Sequence, residues 1–109
     1  MPRDAVGEFE QLILLAILRL GAHAYGVPII EEIESRTGRT VSQAAAYLTL
    51  KRLEQKGWIS SRMADPTPER GGRAKRFFSL RSNGLARLQQ TRSDLLSMWD
   101  GLEPKLDRP

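Results

Sequence analysis

The sequence predicts a mainly α-helical protein with a two-stranded β-hairpin and a further helix after it. A helical pattern with small and polar residues at its front runs from Ser42 to about Gln55. Two short apolar segments with strand character follow, and the loop between them is rich in arginine, proline and glycine. A helix followed by such a hairpin is the outline of a winged helix-turn-helix, in which the loop is the wing.

Composition limits the class of protein. The 109 residues fit one domain, and a hydrophobic content of 40% is typical of a globular chain. Without cysteine, and with His23 as the single histidine, neither a thiolate metal site nor a histidine cluster can form, so no metal or cofactor is expected. The apolar run from Leu12 to Leu18 is too short for a membrane span or signal peptide, which makes the cytoplasm the expected location.

The first predicted helix, Phe9 to Leu20, is apolar on nearly every side. One face carries residues spaced by three and four, namely Phe9, Leu12, Ile13, Ala16, Ile17 and Leu20. Leu14, Leu15 and Leu18 then make most of the remaining surface apolar. A small domain can bury only one side of such a helix in its own core, so we infer that a second subunit covers the other side.

Turn residues separate the next two helices. After Gly21, Tyr25-Gly26 leads into a second helix from about Val27, and a turn over residues 37–40 ends it. Ser42 is placed to cap the third helix, and Gly57 ends that helix.

The third helix has a distinct inner and outer side. Its periodicity turns Ala46, Leu50 and Leu53 toward the core. The residues expected to face outward or sideways are Gln43, Ala44, Tyr47, Leu48 and Lys51. Small residues at the front of a helix allow it to approach a groove closely.

The hairpin and the last helix complete the predicted fold. Strands are expected over Trp58–Met63 and Ala74–Leu80, and Ser82 or Asn83 is expected to cap the helix that follows. That helix has a heptad-like seam of Leu85, Leu88, Arg92, Leu95, Trp99 and Leu102. We expect this seam to pack on its own copy or on the first helix of another subunit. The domain organisation is therefore a winged-helix domain over residues 1–80 and a dimerisation helix over residues 81–109.

Charge is distributed unevenly along the chain. Arg70 to Arg92 holds seven arginines and lysines and no acidic residue, whereas Glu8 to Glu34 holds five glutamates. The net charge of +4 favours a polyanionic partner, and its position matters more than its size. A basic surface beside a candidate recognition helix is the pattern expected of a protein that binds the phosphates of DNA.

The chain resembles the PadR family of winged-helix transcriptional regulators, in particular its shorter members with one C-terminal dimerisation helix. The resemblance covers roughly Phe9 to Leu88. Its motifs are Tyr25-Gly26, Val41-Ser42, the run from Tyr47 to Ile59, the run from Gly72 to Leu80, and Gly84. The chain departs from the family pattern at four places. On the third helix, Ala44-Ala45-Ala46 replaces a Gly-Thr-Leu-type stretch and Leu48 replaces a common proline. Further along, Phe77-Phe78 replaces a tyrosine pair and Arg81 replaces a threonine.

The resemblance implies a homodimeric repressor that binds a pseudo-palindromic operator in double-stranded DNA. It also implies release of the DNA when a small, often aromatic, effector binds between the subunits. Leu48 either touches a thymine methyl group or is simply an exposed leucine.

The sequence has no paired carboxylates, no Ser/His/Asp set and no glycine-rich phosphate loop, so an enzyme is not expected.

Candidate residues follow from these expectations. The DNA-binding set is Ser42, Gln43, Ala44, Tyr47, Lys51 and Arg52 on the third helix, with Arg70, Arg73, Lys75 and Arg76 in and beside the wing. The dimer-interface set is Phe9, Leu14, Leu18, Leu88, Leu95, Trp99 and Leu102. Trp99, with Leu95, could stack on a planar effector or could anchor the interface.

Two other functions remain open from the sequence. A winged helix can serve as a protein-interaction module, although basic residues on both the third helix and the wing disfavour a purely protein-binding surface. A non-specific architectural DNA-binding protein would show the same dependence on salt without a sequence preference.

Overall fold

The computed structural model describes residues 5–64 and 74–106. Within them the chain forms α1 (Glu8–Leu20), α2 (Gly26–Thr37), α3 (Gln43–Gln55), β1 (Ile59–Ala64), β2 (Lys75–Leu80), α4 (Ser82–Trp99) and α5 (Glu103–Leu106), with a short 3₁₀ turn over Gly21–His23. This order confirms the predicted winged helix-turn-helix with a C-terminal helix.

Local hydrogen bonds explain where the first helices begin and end. At the start of α1 the backbone N–H of Gly7 donates to Glu10 Oε1 over 2.9 Å. α2 ends at Thr37, and its cap residue Gly38 adopts the left-handed region with φ +73° and donates its N–H to the Glu34 carbonyl. The Ser42 hydroxyl accepts the Ala45 N–H at 3.0 Å, which confirms the predicted cap of α3.

The two strands form one antiparallel hairpin. Ile59 pairs with Leu80 at its base and Ala64 with Lys75 at its open end. On its other side β2 is fastened to the segment before α2, because the Phe78 N–H donates to the Ala24 carbonyl at 2.8 Å. An isolated bridge between Tyr25 and Phe77 adds to this contact. A single bridge therefore takes the place of a third strand and holds the hairpin against the start of α2.

The core lies between α1, α2, α3 and the base of the hairpin. Its fully buried large side chains are Ile13, Leu14, Ile17, Ile29, Leu50, Leu53 and Ile59. Leu14, which the sequence analysis placed in a dimer interface, has 0% of its surface exposed within its own chain. That prediction is wrong for Leu14, because a side chain enclosed by its own core has no surface left for a second subunit. The exposed side of α1 is formed by Leu15 and Leu18 instead.

α4 begins in direct contact with the base of the hairpin. Arg81 occupies the N-cap position without a side-chain cap, so the predicted cap at Ser82 or Asn83 is wrong. The Arg81 N–H donates instead to the Trp58 carbonyl at 2.9 Å. A Cβ atom at Gly84 would lie 2.2 Å from the same carbonyl oxygen, so only glycine permits this close approach.

The far end of α4 projects away from the core. Leu88 is buried, whereas Leu95, Leu96, Met98 and Trp99 are exposed. α4 ends at Trp99, and Gly101 then adopts φ +82°. The predicted seam therefore stops before Leu102, which lies in the link to α5 rather than on the helix. In the part of the chain that the structure describes, no helix has the length and apolar character to cross a membrane.

Candidate nucleic-acid interface

The outward side of α3 is exposed to solvent. Ala46, Leu50 and Leu53 are buried as predicted, and Thr49 joins them. The residues predicted to bind DNA on this helix are all exposed: Ser42, Gln43, Ala44, Tyr47, Lys51 and Arg52. The buried side thus fixes the orientation in which the exposed side is presented.

A cleft of about 400 Å³ joins this surface to the hairpin. Its lining consists of Tyr25, Gly26, Val27, Gln43, Tyr47, Ala74, Lys75, Arg76 and Phe78. The start of α2, the front of α3 and strand β2 thus meet at one place. Four of the predicted DNA-binding residues, Gln43, Tyr47, Lys75 and Arg76, line the same cleft although they are far apart in sequence.

Hydrogen bonds restrain the Arg76 side chain. Its Nη1 donates to Ser61 Oγ at 2.9 Å, and the Ser61 hydroxyl donates to Glu54 Oε2 at 2.8 Å. Arg76 also lines a second cleft, of about 370 Å³, with Tyr47 and Lys51. The Glu54–Ser61 pair thereby holds one guanidinium of the hairpin beside the exposed side of α3.

Aromatic rings contact two further cations in the described part of the hairpin. The Lys75 Nζ lies 5.1 Å from the centre of the Tyr25 ring, and that ring meets Phe77 edge-on at 5.3 Å. The Arg62 guanidinium lies 5.1 Å from the Phe77 ring. Cation–π contacts at exposed sites contribute roughly 0.5–1 kcal/mol each, enough to bias side-chain orientation. Lys75 and Arg62 thus each contact one ring of an edge-to-face aromatic pair.

Sequence reasoning missed two residues of this surface. Tyr25 was placed only at the entry to the second helix, but it lines the cleft, and its ring contacts Lys75 Nζ. Arg62 was not singled out. Its position beside the Phe77 ring follows from the cross-strand pairing of these two residues. Arg70 and Arg73, predicted to contact DNA from the wing, lie outside the described residues.

A separate apolar groove runs between α1 and α4. It has a volume of about 460 Å³ and is lined by Gln11, Leu15, Leu18, Leu85, Leu88, Gln89, Arg92, Leu95 and Leu96. Among the predicted interface residues, Leu18, Leu95, Trp99 and Leu102 are exposed, Leu88 is buried at this groove, and Phe9 is partly buried against the core. Leu15 and Leu85 were expected to meet a second subunit, from the apolar side of the first helix and from the seam, although the dimer-interface set did not include them. Leu96 was not predicted, because a helical seam does not show which neighbouring element it faces.

Comparison with known proteins identifies the family. The model of the family described as "Transcriptional regulator PadR-like family" matches residues 14–90. The chain belongs to this family. Membership makes it a transcriptional regulator and not an enzyme, and it confirms the resemblance that the motifs indicated. No curated protein matches the chain.

Solved structures of PadR-family proteins share the fold. A regulator from Clostridium difficile R20291 has a TM-score of 0.70 and 22% identity, covering 87% of this chain and 97% of its own. A regulator from Eggerthella lenta has a TM-score of 0.66 and 20% identity, covering 91% and 84% respectively. Bacillus subtilis PadR, solved in complex with operator DNA, has a TM-score of 0.64 and 21% identity, covering 78% and 48%.

One close contact fixes α3 against α2. A Cβ atom on Gly26 would lie 2.4 Å from the Tyr47 hydroxyl oxygen. Gly26→Ala should therefore displace the Tyr47 side chain and lower the free energy of unfolding by about 1 kcal/mol, at the lower end of overpacking costs. In a Tyr47→Ala background the same substitution should cost nothing. Urea unfolding of the four proteins of this double-mutant cycle measures the coupling, and an equal effect in both backgrounds contradicts the assigned contact.

Proposed function

We propose that this protein is a sequence-specific DNA-binding regulator that represses transcription as a homodimer. The observation that carries the proposal is the exposed side of α3 beside a cationic hairpin. Lys51 and Arg52 on the helix, and Lys75 and Arg76 on the hairpin, give this surface its positive charge. The structural likeness to Bacillus subtilis PadR, whose complex contains operator DNA, supports the same use of the fold here.

Each side chain has a role in this proposal. α3 enters the major groove, where the Gln43 amide can hydrogen-bond to base edges. Ser42, Tyr47, Lys51 and Arg52 contact phosphates, and Ala44 allows close approach of the helix. Lys75 and Arg76 hold the adjoining backbone from the hairpin, together with Arg70 and Arg73 of the wing. The contacts to phosphate position the protein, and the contacts to bases select the sequence.

The groove between α1 and α4 is the proposed dimer contact. Leu15, Leu18, Leu95 and Leu96 expose a contiguous apolar lining there, and burial of such surface is the main driving force of association. Residues 81–109 would provide most of the partner's contribution. A two-fold dimer places its two α3 helices on half-sites about one DNA turn, on the order of 34 Å, apart. Occupation of promoter DNA in the cytoplasm would then block transcription.

A small aromatic effector would act at the same interface. Leu95 lines the groove, and Trp99 follows it one turn later with its indole half-exposed. An indole can stack on a planar ligand while its N–H orients that ligand. Binding there would change the packing of one subunit on the other and so the spacing of the two α3 helices.

The first prediction of the proposed function concerns affinity for DNA. Lys51→Ala should weaken binding to every DNA sequence and reduce the slope of log Kd against log salt concentration by about one, because one phosphate contact is lost. Fluorescence anisotropy with an operator selected from random DNA measures both quantities. Lys105→Ala, a matched loss of charge on the short helix α5, should leave the slope unchanged.

The alternatives predict different results in the same assay. Salt-dependent binding without preference for the selected sequence would indicate an architectural DNA-binding protein. Absence of any salt-sensitive binding to DNA would favour a protein-interaction module and contradict the proposed function.

The second prediction concerns the dimer. Leu18 and Leu48 are each 51% exposed, but only Leu18 lines the groove. Leu18→Glu should convert dimer to monomer in sedimentation velocity, because a carboxylate buried in an apolar contact costs several kcal/mol. Leu48→Glu should remain dimeric. A dimeric Leu18→Glu protein would place the interface elsewhere, and a wild-type monomer at micromolar concentration would contradict the dimer.

The third prediction concerns the effector. A planar aromatic dye should quench tryptophan fluorescence in the wild type and much less in Trp99→Phe, since Trp58, the other tryptophan, is buried. Equal quenching of both proteins would show that Trp99 is not at the ligand site and would leave it as an anchor of the interface.

A further inference from the structure

The outermost stripe of α3 is apolar over its first two turns. With 3.6 residues per turn, Ala44 and Leu48 lie one above the other and directly opposite the buried Ala46 and Leu50. Leu48 is 51% exposed and does not belong to the core cluster or to the partly buried residues packed against it. Its side chain therefore faces away from the body of the protein, at the centre of the surface assigned to DNA.

Packing does not account for a leucine at this position. Lysine, glutamine or glutamate would be about as favourable in an exposed helix and would interact better with water. Single exposed leucines are common on protein surfaces. Leu48 differs in its location, because Tyr47 flanks it on the side of the cleft and Lys51 follows one turn later on the same side of the helix.

The front of α3 also lacks the side chains that most often read guanine. Residues 43–50 contain neither arginine nor lysine, and the first cation on the helix is Lys51. The hydrogen-bonding groups that this segment offers to bases are the Gln43 amide and the Tyr47 hydroxyl, and the latter packs against Gly26. The remaining outward groups are apolar. In the major groove, the apolar group that distinguishes one base from the others is the C5-methyl of thymine.

We propose that Leu48, supported by Ala44, recognises a thymine methyl group in each half-site of the operator. This inference rests on the proposed DNA-binding function and adds a specificity-determining residue to it. Lys51 and Arg52 beyond the stripe, and Lys75 and Arg76 across the cleft, hold phosphates while the apolar stripe faces the base edges. Removing water from one methyl group changes affinity by about fourfold.

Deoxyuridine provides a direct test, because it lacks only the C5-methyl and still pairs with adenine. An operator is first selected from a random pool of duplex DNA, and each of its thymines is then replaced singly by deoxyuridine. Anisotropy titrations should find one thymine in each half-site whose replacement weakens wild-type binding about fourfold, and about sixteenfold when the two symmetric positions are replaced together.

Variants of the protein assign the effect to a side chain. Leu48→Ala should bind the thymine and deoxyuridine operators equally, and Leu48→Met should restore the preference because it restores apolar volume. Lys51→Ala should weaken binding to both operators and preserve their ratio. Circular dichroism and thermal melting verify that each variant is folded, which is expected because Leu48 lies outside the core.

The outcomes distinguish failure of the role proposed for Leu48 from failure of the proposed DNA-binding function. If the wild type selects and binds an operator but no deoxyuridine replacement changes its Kd, the proposal for Leu48 is overturned while the DNA-binding function stands. The same holds if Leu48→Ala keeps the full preference for thymine. If no operator can be selected, the proposed function fails, and the role of Leu48 fails with it.

Discussion

The position of Trp58 determines how the parts of this protein fit together. Its backbone N–H donates to the Leu53 carbonyl near the end of α3 at 3.1 Å, and its own carbonyl accepts from Arg81 at 2.9 Å. Its buried ring is flanked by Lys56 Nζ at 4.6 Å and by the Arg87 guanidinium at 5.7 Å from the ring centre. One residue thus connects α3, the hairpin and α4. The surface assigned to DNA and the helix assigned to dimerisation are held in a fixed relation through it.

Charged side chains are paired differently beside α1 than around α3 and the hairpin. On the side of α1, glutamates pair with cations: Glu8 with Arg39 at 2.6 Å and Glu10 with Lys56 at 3.0 Å. Ion pairs at or near the surface contribute little to stability, so their main effect here is to neutralise cations on that side. Around α3 and the hairpin, Glu54 is engaged by Ser61 and through it by Arg76. Lys51 and Arg52 on α3 and Lys75 and Arg76 on the hairpin outnumber this carboxylate, which gives the local charge a sign suited to phosphate.

Local patterns in the sequence predicted much of this fold. The helices, the Ser42 cap, the hairpin and the inward side of α3 depend on periodicity and turn residues within a few positions of each other, which can be read without knowing the tertiary structure. The face of α1 could not be assigned in the same way. When nearly every position is apolar, periodicity cannot decide whether Leu14 or Leu15 enters the core, and the choice depends on where α2 and α3 lie. The end of α4 was misplaced because the heptad spacing was followed past Gly101, although glycine is a common helix terminator.

The candidate site could likewise be predicted only in part from the sequence. Residues on one helix, such as Gln43 and Lys51, could be grouped from sequence because helical spacing places them. The cleft that joins them to Tyr25 and Lys75 could not, because it arises from a bridge between segments more than fifty residues apart. Arg62 was missed for a related reason, since its aromatic contact depends on the register of the hairpin.

The contact between Gly84 and the Trp58 carbonyl oxygen has a consequence for the wider family. With no room for even one methyl group, the distance between the last helix and the hairpin is set by backbone atoms alone. A relative with a larger residue at this point would have to move its C-terminal helix outward from the hairpin. The identity of this single residue should therefore indicate how closely the C-terminal helix of each relative packs against its hairpin.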